Sequence, residues 1–149
     1  MITDAFDKSE VLFGPKDFYG EKKNLCDKCI IVFSEVIFEY MLETYEHEQA
    51  GVIRCCNGVT AVYVFEIEGM KIAGYLSHIG SALAGSDVID ANWLTGADKF
   101  IMFGSAGSLD SNATDGKFVI PTESYRKEGM SYHYAKPSNY IKIRNYRIV

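Results

Sequence analysis

Lys99-Phe100-Ile101-Met102-Phe103-Gly104-Ser105-Ala106-Gly107 is an apolar run that breaks directly into a loop with glycines three residues apart. A short apolar run bounded by glycine reads as a buried strand. A strand that ends in glycine brings backbone N–H groups up to an anion with no side chain in the way. Ser105 and Ser108 add hydroxyl donors. A tight strand-exit turn fits the same four residues, 104–107, equally well. The loop is neither a Walker loop, for no Lys-Ser/Thr pair follows, nor a Gly-x-Gly-x-x-Gly fingerprint.

Working outward, Ser77-His78-Ile79-Gly80-Ser81 is a second glycine turn, placed between a strand and a helix. The helix, Ser81–Thr95, is small and apolar, and Gly96 is positioned to end it. Its N-terminus favours an anion. Two such turns on neighbouring strands converge at the sheet edge where α/β folds hold ligands. Upstream, residues 61–67 and 71–77 read as a β-hairpin turned by Glu68-Gly69. Residues 29–33 read as a buried strand and residues 34–46 as a helix capped by Ser34. Downstream, residues 117–121 read as a further strand. Residues 1–28, with Gly14-Pro15 and Gly20, read as irregular. The pattern predicts one domain over residues 1–149, α/β in class, three-layered with a mixed central sheet. Residues 141–149 alternate apolar and basic with no polar tail, and read as cut rather than finished.

Of the 149 residues, 48% are hydrophobic and 23% charged, with a net charge of −5. That balance suits a packed core and argues against nucleic acid as a partner, since phosphate backbones need clustered Lys and Arg. The beginning of the chain lacks the basic-then-apolar pattern of a signal peptide, and the apolar runs are short for a membrane span. We therefore expect a cytoplasmic protein with no membrane partner. The four cysteines, Cys26, Cys29, Cys55 and Cys56, read as reduced thiols. Cys26-x-x-Cys29 as half a zinc site or a redox dithiol is the alternative, and no metal is expected.

A third cluster is Tyr125-Arg126-Lys127-Glu128-Gly129-Met130-Ser131-Tyr132-His133-Tyr134. Its aromatic, basic and acidic residues offer stacking surfaces and hydrogen bonds to a base or sugar. His133 suits a general base, a partner for a sugar hydroxyl, or a structural histidine in an aromatic cluster. His47 reads as a surface residue. His78 has no evident partner nearby in sequence, and its role stays open.

These three clusters, in this order, resemble a known family. The stretch from Gly96 through Asp110, then Asp115-Gly116-Lys117-Phe118-Val119-Ile120-Pro121-Thr122, then Glu128-Gly129-Met130-Ser131-Tyr132-His133-Tyr134, is similar to the central part of nucleoside phosphorylases of the uridine phosphorylase type and of related purine nucleoside phosphorylases. The hairpin and residues 77–85 match the preceding part, so the resemblance spans about residues 29–141.

The resemblance implies a pentosyltransferase that splits a pyrimidine or purine nucleoside with phosphate, giving free base and pentose 1-phosphate. Phosphate is a co-substrate, and no other cofactor is implied. Gly104, Ser105, Ala106 and Gly107, with Gly80 and Arg54, would bind phosphate and sugar. His133, Tyr132 and Arg126 would meet the nucleoside. Family members are homo-oligomers with active sites near subunit contacts.

The chain departs from the family at three arginines. The early Gly-Asp-Pro-x-Arg turn would fall near residues 33–37, here Phe33-Ser34-Glu35-Val36-Ile37. The arginine two places before the glycine loop is Met102, and the arginine lent by a neighbouring subunit would fall near Gly58, with Arg54 close by. An anion site with few arginines is weaker or differently built. The resemblance also puts the glutamate that grips the ribose, and the acid that helps the base leave, beyond residue 149. Phosphate-independent nucleosidase and non-catalytic ligand- or partner-binding remnant are therefore the alternatives.

Overall fold

The computed structural model describes residues 9–56 and 58–143. These fall into two compact units, one running Glu10–Gly104 and the other holding Ser9 and residues 105–143.

The first unit opens with a short helix, α1 (Pro15–Tyr19), inside the segment expected to be irregular. Pro15 sets the first turn and the Asp17 carboxylate accepts from the Gly14 N–H at 2.8 Å. Then follow β1 (Lys28–Val32), α2 (Glu35–Thr44), β2 (His47–Cys55), β3 (Gly58–Ile67), β4 (Met70–Leu76), α3 (Ser81–Thr95) and β5 (Lys99–Phe103). The five strands form one sheet in the order β2-β3-β4-β1-β5. β1 pairs in parallel with β4 and β5, whereas β3 pairs antiparallel with β2 and β4. The sheet is mixed, as expected.

Strand alternation assigns the two faces. Cys29 and Ile31 of β1, Val62 of β3, and Ala73 and Tyr75 of β4 pack with Ala91 and Leu94 of α3. The intervening positions, Val32 and Phe65 with Ile30, Tyr63 and Leu76, pack with Phe38 and Met41 of α2. One helix on each face gives three layers. The Glu68-Gly69 turn has φ of 51° and 75°, the left-handed pair that matches the twist of a tight hairpin.

α3 stops at Gly96, whose φ of 88° is left-handed and whose N–H bonds the Asn92 carbonyl at 2.8 Å. Residues 23–26 lie along this helix end. The N–H groups of Lys23 and Leu25 donate to the carbonyls of Trp93 and Thr95 at 3.0 and 2.7 Å. Trp93 Nε1 donates to the Gly20 carbonyl at 2.8 Å.

Two expectations about strands need correction. β2 was not foreseen: its first half, His47-Glu48-Gln49, is polar, and only Ala50 and Ile53 are buried, so the strand pattern is diluted. Residues 117–121 form no strand. Their apolar residues have β propensity but no ladder partner among the described residues, and Phe118, Val119 and Ile120 are exposed.

The second unit instead contains α4 (Ser111–Thr114), capped by Asp110 Oδ1, and a two-stranded antiparallel sheet of β6 (Glu123–Tyr125) and β7 (Tyr140–Lys142). Between the strands lies a 3₁₀ turn, Met130–His133.

Candidate functional site

In the first unit, β2, β4, β1 and β5 all run in the same direction, so their C-terminal ends share one edge of the sheet. That edge carries Arg54 and Cys55 from β2, the 77–80 turn after β4, Phe33 and Ser34 after β1, and Gly104 after β5. It is the edge at which α/β sheets hold ligands.

The turn after β4 is tightly fixed. The Ser77 N–H bonds the Val32 carbonyl at 2.8 Å, tying the turn to β1. Gly80 sits at φ 105° and ψ 142°, a conformation side chains disfavour, with nothing within 4 Å of where a Cβ would stand. It leads into α3, which has no side-chain cap. The first N–H groups of that helix lack an intrahelical partner and carry the positive end of its dipole.

Gly104 behaves differently. Neither Gly104 nor Gly107 has a positive φ, so the sharp turning expected of them is not their conformation. A Cβ at Gly104 would meet the Phe33 ring at an ordinary 3.5 Å. At the level of backbone dihedrals, the glycine requirement lies at Gly80. Ser105, Ala106 and Gly107 begin the second unit and are exposed.

Arg54 is exposed on β2, and its backbone N–H faces the Tyr19 hydroxyl at 3.4 Å. With Phe13, Phe18, Tyr19, Ile89 and Asp90 it lines a cavity of about 420 Å³ beside α3. Tyr19 donates to Asp90 at 3.0 Å. Burial raises the pKa of both groups above their ordinary values.

His78 has partners that its sequence neighbourhood did not reveal. Its Nδ1 lies 3.0 Å from Asp87 Oδ2, its N–H donates to the same oxygen at 3.1 Å, and its Nε2 lies 3.4 Å from Cys55 Sγ. Asp87 is 1% exposed. The available signal was an aspartate on a helix face otherwise built of small apolar residues. Cys55 was hidden with the unforeseen strand β2.

In the second unit, Arg126 is 5% exposed and committed to its own loop. Nε donates to Ser131 Oγ at 2.8 Å, and Nη1 to Ser138 Oγ at 3.2 Å and to the Lys136 carbonyl at 2.6 Å. Nη2 reaches the Ala135 carbonyl at 3.2 Å. The guanidinium stacks 4.2 Å from the centre of the Tyr132 ring. Tyr132 is half-buried and its hydroxyl donates to the Arg126 carbonyl at 3.2 Å. His133 is exposed. Glu128 accepts from both the N–H and the hydroxyl of Ser131, which lowers the pKa of its carboxyl.

His47 is exposed, as expected, with Nδ1 against the Tyr45 carbonyl at 2.9 Å. Cys29 is buried and its thiol is pushed up to about 12 by desolvation, which suits an inert core residue. Burial raises Cys26 as well. The described residues contain no group of three His, Cys, Asp or Glu side chains placed to hold a metal ion, and no helix long and apolar enough to cross a membrane.

A search among curated proteins finds no match. Residues 27–146, however, match the sequence model of the phosphorylase superfamily, a span from just before β1 through β7 that takes in both glycine turns. With its mixed five-stranded sheet between helices, the chain belongs to the phosphorylase superfamily.

Proposed function

We propose that this chain binds phosphate and pentose for the phosphorolysis of a pyrimidine or purine nucleoside, releasing free base and pentose 1-phosphate. The observation that carries the reading is the Gly80 turn. It delivers the uncapped N-terminus of α3 to the same sheet edge as Gly104 and Arg54. Backbone N–H groups and a helix dipole hold an anion where arginines are scarce. The superfamily match supports phosphate and nucleoside as substrates.

In this reading Gly80 and Gly104 admit phosphate to the backbone and Arg54 adds a positive charge, while Ser105, Ala106 and Gly107 are assigned to phosphate and sugar through the resemblance. Phosphate held under the anomeric carbon stabilises the cationic, oxocarbenium-like sugar that forms as the base departs. Tyr132 and His133 are assigned to the nucleoside through the resemblance. Arg126 supports them by holding their loop, since its donors are engaged there. A cytoplasmic homo-oligomer completes the proposal. The exposed apolar residues Ile101, Met102 and Phe103 of edge strand β5 suit association.

One observation favours a second reading, a nucleosidase that uses water. Met102 and the 33–37 segment place no cation where the family has phosphate arginines.

Phosphorus and proton NMR of the protein with uridine or inosine, with and without phosphate, separates the two. Pentose 1-phosphate formed only with phosphate supports phosphorolysis, and free pentose formed in either condition supports the nucleosidase. If neither product forms and phosphate does not bind, both readings fall.

A further inference from the structure

Cys55, His78 and Asp87 stand in the order thiol, imidazole, carboxylate. Asp87 is 1% exposed and accepts from the His78 backbone N–H at 3.1 Å as well as facing Nδ1 at 3.0 Å. A carboxylate only accepts, so Nδ1 carries the proton and Nε2 is left towards sulfur. Nε2 and Sγ are 3.4 Å apart, and Sγ also lies 3.4 Å from the Gly58 carbonyl. The imidazole is therefore fixed from behind by a buried charge and directed at a half-buried thiol at the end of β2. That is the geometry of a base-activated nucleophile whose base is oriented by a third group.

The other cysteines mark the contrast. Cys29 is buried and Cys26 is partly so, with thiols raised by desolvation, and neither has an imidazole beside it in the contacts above. The described residues offer no third ligand to make the Cys55–His78 pair a metal centre. Charged neighbours on the same elements are Arg54, next to Cys55 on β2, and Asp90, one turn beyond Asp87 on α3.

We propose that Cys55 is a reactive thiol, activated by His78 and Asp87, that undergoes reversible S-thiolation by low-molecular-weight disulfides. The Cys55 proton passes to His78 Nε2, and the thiolate attacks one sulfur of the disulfide. A new Cys55 sulfur–sulfur bond forms as the old one breaks. The departing thiolate takes the proton back from the imidazolium and leaves as a thiol. Cys55 sulfur is oxidised and the disulfide reduced, with no further reagent. The adduct stands on the sheet edge that carries Arg54 and the Gly80 turn. The assignment does not depend on the proposed substrate.

The test treats the native protein with oxidised glutathione between pH 5.5 and 9 and follows each cysteine by peptide mapping and mass spectrometry. Below pH 7 Cys55 should gain the adduct about tenfold faster than exposed Cys56. Asp87→Asn and His78→Gln should each lower the rate near pH 6 by about tenfold and converge with the parent at pH 9. If these variants do not fold, the ratio of the Cys55 rate to the Cys56 rate in the parent decides. A Cys55 rate equal to that of Cys56 below pH 7 overturns the proposal.

Discussion

Replacing Gly96 with alanine tests how α3 and the N-terminal strand of chain beside it hold each other. Gly96 has φ of 88°, and a Cβ there would stand 2.9 Å from both Asn24 Cα and the Lys23 carbonyl oxygen. Both atoms are backbone, so neither can swing aside. The left-handed conformation costs a non-glycine residue about 1–2 kcal/mol. Relieving the clash pulls residues 23–26 off the helix end, weakening the bonds to the carbonyls of Trp93 and Thr95 at 3.0 and 2.7 Å. Each is worth about 0.5–1.5 kcal/mol net. Reduced entropy of the unfolded chain returns about 0.4–1 kcal/mol.

The expected net loss is about 2–3 kcal/mol, roughly 5–10 °C in melting temperature for a chain of this length. Gly69→Ala is the internal comparison, because Gly69 has φ of 75° with nothing within 4 Å of a Cβ. It should cost only about 1 kcal/mol. Urea unfolding followed by circular dichroism measures both. Equal losses for the two variants would show that the close approach at Gly96 carries no energy and refute the reasoning.

Three further outcomes follow from particular groups. Tyr75 is fully buried and its hydroxyl finds no hydrogen-bond partner among the described residues, so Tyr75→Phe should stabilise the fold by about 1–2 kcal/mol in the same urea assay. Hydrogen bonds from Lys99 and Lys28 lower Asp27 to about 2. A carboxyl depressed on folding adds stability above its unfolded value and loses it as the pH falls through the folded value. The acid limb between about pH 4 and 2 should therefore flatten in Asp27→Asn. Arg126→Met should remove the donors that hold Ser131, Ala135, Lys136 and Ser138. Hydrogen exchange of the Arg126 amide, bonded to the Asn139 carbonyl at 2.9 Å, should then speed by at least about tenfold.

What was legible in the sequence was what local chemistry decides. The helix Ser81–Thr95 with Gly96 after it, the strand Lys99–Phe103, and the Glu68-Gly69 turn each carry their own start and stop signals, and the structure has all three. What failed needed knowledge of a partner. Phe118, Val119 and Ile120 look like a strand but have no ladder partner among the described residues, while β2 looks polar yet pairs along its length with β3. The site divides in the same way. Gly80 stood out as a turn before a helix. The Cys55–His78–Asp87 relay could not be read whole: His78 and Asp87, 9 residues apart, meet through a foreseen turn and helix, but Cys55, 23 residues from His78, lies on the strand that the pattern concealed.

The central claim, that the glycine-bearing sheet edge binds phosphate, is tested most directly by thermal melts against phosphate at constant ionic strength, with Gly104→Val alongside. Gly104 is outside the left-handed region, and a Cβ there meets only the Phe33 side chain among the described residues, at 3.5 Å or more, so the substitution should preserve the fold while blocking backbone approach. The account predicts a saturable rise for the parent with a millimolar midpoint, about 1.4 kcal/mol at tenfold excess over the dissociation constant. Ser105→Ala should weaken binding by at most about 1.5–3 kcal/mol, and Gly104→Val should show no rise. No rise in the parent at high phosphate, or an equal rise in Gly104→Val, would contradict the claim.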